Sequence, residues 1–76
     1  MSSVPRVTGQ AAVRAFEKAG FVHVRTKGSH FILKKGGHPY LLSVPVHAGR
    51  TVGVGLLKKL IADAGLTVDE FIQLLA

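Results

Sequence analysis

The spacing of apolar residues changes at Gly20. Before it, Ala12, Val13, Phe16 and Ala19 recur at helical intervals. After it, Phe21–Thr26 reads FVHVRT, rich in β-branched and aromatic side chains, which predicts a strand. A chain that changes period so early, and changes back later, predicts a mixed α+β fold. The boundaries are marked chemically. Thr8 supplies a hydroxyl to cap the first helix, and Gly20 fits the left-handed position that ends it. SHFILKK predicts a second strand, with Lys27-Gly28 as a tight connection from the first. Gly36-Gly37 breaks the chain again, and PYLLSVPV predicts a third strand with Pro39 and Pro45 at its ends. Leu57, Leu60, Ile61 and Ala64 then restore the helical period in a second helix from about Leu56 to Ala64, stopped by Gly65. Thr67 and Glu70 form a capping box for a short last helix whose Phe71, Leu74 and Leu75 face inward.

The predicted order is α-β-β-β-α plus a short C-terminal helix, in one domain covering residues 1–76. Three strands with such short connections predict an antiparallel meander. Helices at both ends of the sheet cover one of its faces and leave the other open. This is the order of the double-stranded-RNA-binding domain. Composition fits a small folded unit. The chain is 47% hydrophobic with a mean hydropathy of +0.35, but has only five aromatics (Phe16, Phe21, Phe31, Tyr40, Phe71). Aliphatic residues therefore carry most of the core. With no cysteine, the chain has no disulfide, thiol nucleophile or thiolate metal site. The opening MSSVPRVTG lacks the charged-then-apolar pattern of a signal peptide, and no apolar run approaches the roughly 20 residues needed to span a bilayer. The expectation is a soluble cytoplasmic protein with no membrane partner.

Charge points to a partner. Ten Lys and Arg against four acids give a net +6. The acids are Glu17, Asp63, Asp69 and Glu70, so nothing between Lys18 and Ala62 is acidic. That window contains Lys18, Arg25, Lys27, Lys34, Lys35, Arg50, Lys58 and Lys59. A solvated basic surface explains isolated cations. A window this long without an acid favours a polyanion, and nucleic acid in particular.

Four stretches then carry a resemblance across most of the chain, from about Thr8 to Phe71. KAGFVHVRTKGSH, SVPVHAGR, VGLLKKLIADAGL and TVDEF occur in an order and spacing that resemble HicA-type toxins, the mRNA interferases of bacterial toxin–antitoxin pairs. The resemblance implies a metal-independent endoribonuclease with no cofactor, acting on mRNA and restrained by a HicB-type antitoxin. It implies that His30 is the catalytic histidine, with Gly28 and Ser29 completing its motif and His47 matching the family's second histidine. One departure stands out. The family's usual Gly-Thr-Leu at the start of the second helix is here Gly55-Leu56-Leu57, without the threonine.

The implied chemistry suits these residue types. The RNA 2′-hydroxyl is an internal nucleophile that needs a base, an in-line geometry and cations near the phosphate oxygens. Imidazole, with an ordinary pKa of about 6.5, is a suitable base near neutrality. Arg25, Lys27, Lys34 and Lys35 are the expected phosphate contacts around His30, with Lys58 and Lys59 extending the footprint. Each also reads as an ordinary surface charge whose stem covers apolar groups. Gly28 lets the backbone turn or approach a phosphate. Ser29 bonds either a phosphate oxygen or a turn amide. His47 is open among phosphate binding, general acid and loop tether. His23 and His38 read as exposed. The four histidines, at 23, 30, 38 and 47, show no metal-binding spacing and no carboxylate between them. The alternative to an enzyme is a non-catalytic RNA-binding module of the same fold. A third reading is a protein-interaction domain whose basic face serves a protein partner alone.

Overall fold

The computed structural model describes residues 3–76. Its elements run α1 (Gly9–Lys18), β1 (Val22–Lys27), β2 (His30–Lys34), β3 (Leu42–Pro45), α2 (Val54–Asp63) and α3 (Val68–Leu74). The sheet is an antiparallel meander in the order β1-β2-β3, so the expected α+β architecture is the observed one. The Thr8 hydroxyl accepts from the Ala11 amide at the start of α1, and Gly20 ends it with φ +103°. Both halves of the capping box form at α3: the Glu70 amide donates to Thr67 Oγ1, and the Thr67 amide donates to the Glu70 carboxylate. At α2, which starts at Val54 and not near Leu56, the N-cap is Gly53 and no side chain caps the first turn; Leu56, where the threonine is missing, lies inside the helix and not at its cap.

Alternation along the strands sets the two faces. Leu33, Leu42 and Val44 point into the core with Phe16, Leu57, Ile61 and Phe71. Their neighbours His30, Lys34 and Ser43 are exposed on the other side. Phe16 joins the layers, its ring edge-on to Phe21 at 6.2 Å and tilted against Phe71 at 5.2 Å. The cover is uneven. Both α1 and α2 pack on β3, whereas all six residues of β1 are exposed.

Two strands differ from expectation. β3 covers only Leu42–Pro45, so Pro39, Tyr40 and Leu41 lie outside the ladder. The His38 amide instead closes a turn onto the Lys35 carbonyl, and its ring reaches toward α2. In β1 a bulge at Val24 falls between the pairs His23↔Leu33 and Arg25↔Ile32. No glycine or proline marks it in the sequence. Among the described residues, no helix is long and apolar enough to cross a membrane.

Candidate active site

The β1–β2 connection is Gly28-Ser29, flanked by the pair Lys27↔His30. Gly28 takes φ +60° and Ser29 does not share a positive φ, the pattern of a type II′ hairpin turn. A side chain at Gly28 would meet no atom within 4 Å, so the positive φ is what calls for glycine there. His30 therefore begins β2 at a defined register, opposite Lys27 on one side and Pro45 on the other.

The register also determines what shares its face. Arg25 and Ser43 flank Ile32, two residues further along β2, and Val22 lies opposite Lys34. Arg25, Lys27, His30, Lys34 and Ser43 thus stand on the open face of the sheet, all exposed. Val22, exposed, and Ile32, only 9% exposed, add apolar surface to this face. Ser43 Oγ lies 3.4 Å from His30 Nδ1, at the long end of hydrogen bonding. It holds one ring nitrogen and leaves Nε2 without a partner among the described residues.

A second pair closes the same end of the sheet. Ser29 Oγ lies 3.2 Å from His47 Nε2, and the Val46 amide donates to the Ser29 carbonyl at 2.7 Å. Ser29 and His47, far apart in sequence, thus form one contact between the hairpin turn and the exit of β3. The contact is of the kind a loop tether makes, and His47 itself stays exposed.

Against this geometry, the sequence model of the family described as HicA toxin of bacterial toxin-antitoxin matches residues 9–66 of the 76. The chain belongs to the HicA toxin family. It is a toxin of a toxin–antitoxin system. No curated protein matches it. The matched segment of this HicA family member runs from the first residue of α1 past the end of α2, and so contains the whole sheet, His30 and His47.

Not every cation expected around His30 in this toxin joins it. Arg25, Lys27 and Lys34 share its face. Lys35 folds over the Phe21 ring, with Nζ 5.8 Å from the centroid, and half-buries its stem there. Lys59 is paired with Asp63 at 2.9 Å, and that carboxylate raises its pKa above the ordinary lysine value. Lys58 is exposed on α2. His38 is half-buried rather than exposed. Its Nε2 donates to the Asp63 carbonyl at 2.5 Å and its ring meets Phe21 edge-on at 5.3 Å. His23 is exposed but not idle, stacked on Phe31 with ring centroids 4.3 Å apart and bonded to Thr26 at 2.8 Å. No cluster of three or more metal-ligating side chains occurs among the described residues. Sequence reading missed Ser43. The only signal for it was its place two residues before Pro45, which becomes informative once the strand register is known.

Proposed function

We propose that this toxin is an endoribonuclease, an mRNA interferase, in which His30 is the general base. The observation that supports it is the exposed His30 imidazole standing among Arg25, Lys27 and Lys34, with Ser43 at its Nδ1. In the base form Nδ1 keeps its proton and donates to Ser43 Oγ, so Nε2 carries the lone pair. Nε2 takes the proton of an RNA 2′-hydroxyl. The 2′-oxygen bonds to the adjacent phosphorus, and the bond from phosphorus to the 5′-oxygen breaks. The products are a 2′,3′-cyclic phosphate and a 5′-hydroxyl, whose proton comes from water or a second imidazole. His47 is the other histidine at this end of the sheet. The cations stabilise charge growing on the non-bridging oxygens. Gly28, with no side chain, allows a phosphate close to the turn. The scheme uses no metal ion.

The antitoxin in this reading is a HicB-type protein, acidic where this chain is basic, that covers the His30 face and excludes RNA. Opposite charge speeds the encounter of the two. The test of the enzymatic reading compares wild type with His30→Ala, on RNA and on matched DNA, with EDTA present. RNA cleavage by wild type alone supports it. Salt-sensitive RNA binding with no cleavage by folded wild type would make the protein a binding module instead.

A further inference from the structure

A groove of about 190 Å³ runs between α1 and the β1–β2 hairpin, lined by Gln10, Val13, Arg14, Glu17, His23 and Phe31. It lies on the helix side of the sheet, opposite His30, at the edge that the helices leave uncovered. Its floor is an ordered aromatic stack. The His23 ring lies parallel to Phe31, with a 4° interplanar angle, and its Nε2 is tied to Thr26. The Val24 bulge makes this possible. It places His23 and Thr26 on one face although three positions separate them, where regular alternation would put them on opposite faces. Phe31 is rooted in the core, so the stack is anchored from below.

We infer that this groove is a nucleobase subsite for single-stranded RNA, with His23 as the stacking platform. Single strands are read by stacking splayed bases on aromatic or imidazole planes and bonding their edges. The groove is smaller than the roughly 300–1,000 Å³ typical of drug-sized ligands, which suits one flat ring. Its polar groups suit a base edge better than a phosphate. Arg14 and Gln10 donate, while Gln10 and Glu17 accept, and the Glu17 carboxylate repels a phosphate. Phosphates instead meet Arg25 and Lys27, on the other face of the same exposed strand. A strand passing over the β1 edge thus has its backbone held on one face and a base on the other. With the bulge counted, Lys27, the partner of His30, is three ladder positions from His23, about 10 Å along a strand. The subsite therefore takes a base a short distance from the bond that is cut. This inference rests on RNA as the substrate.

The test uses a short 2′-O-methyl oligonucleotide, which binds but cannot be cleaved, and its abasic counterpart. His23→Ala is expected to weaken binding of the base-bearing strand about 5- to 150-fold, the range for losing one base stack. It should leave the abasic strand unaffected. His23→Phe, which keeps a stacking plane, should restore most of the loss. In wild type, the ring protons of His23 should shift upfield on adding the base-bearing strand only. Equal losses on both strands, or no loss with His23 protons unmoved, would overturn the subsite. The outcomes separate the two readings. A wild type that cleaves RNA but shows no His23 effect loses the subsite and keeps the nuclease. A wild type that stacks a base on His23 but cuts nothing does the reverse.

Discussion

Ser43 and His30 are 13 residues apart in sequence and meet because β2 and β3 pair in one register. His30 was legible as a candidate through the family resemblance, which includes the local Gly28-Ser29-His30 pattern. The role of Ser43 was not legible. It depends on alternation placing two side chains on one face of neighbouring strands. If Ser43 orients the imidazole, Ser43→Ala should lower kcat about 2- to 10-fold, the worth of one ordinary hydrogen bond, with KM little changed. Ser43→Thr should restore it. Nitrogen chemical shifts of His30 should show Nδ1–H as the dominant neutral tautomer in wild type and a mixture in Ser43→Ala. A purely structural serine would move Tm and leave the tautomer alone.

Among the elements, α1 carries an unexpected constraint at its first residue. A Cβ on Gly9 would lie 2.2 Å from the Pro45 carbonyl oxygen and 2.8 Å from the Val46 Cα. The helix start therefore presses directly on the strand end that pairs with His30. Gly9→Ala should destabilise the fold by about 1–3 kcal/mol, as for overpacking in a tight interior, measured by urea unfolding. The sequence showed Thr8 as the cap and Gly20 as the stop because both act within one turn of backbone. It could not show why Gly9 is glycine, because the clash is with a strand 36 positions away. The shortened β3 has a similar cause. PYLLSVPV has strand composition throughout, yet His38 binds the Asp63 carbonyl and packs on Phe21, which draws the preceding loop toward α2. The bulge in β1 escaped notice because Val24 looks like any strand residue.

At the scale of the molecule, the net charge of +6 was visible from composition, and the order of elements from the change in period. Which cations act together was not visible. Tertiary contacts direct Lys35 onto an aromatic ring and Lys59 onto a carboxylate, leaving Arg25, Lys27 and Lys34 on the same sheet face as His30. RNA affinity should accordingly fall steeply with salt. With about three phosphates neutralised at this face, the slope of log K against log salt is expected near −2 for a single strand. Lys27→Ala should flatten that slope, whereas Lys59→Ala should leave it unchanged. The central step of the proposed chemistry is one proton transfer, from a 2′-hydroxyl to His30. The most direct measurement offers the toxin a DNA oligonucleotide carrying a single ribonucleotide, with EDTA present. The predicted result is one cut, immediately 3′ of that ribonucleotide, leaving a 2′,3′-cyclic phosphate, with no cut by His30→Ala. Cutting at deoxynucleotide positions, or undiminished cutting by His30→Ala, would contradict it.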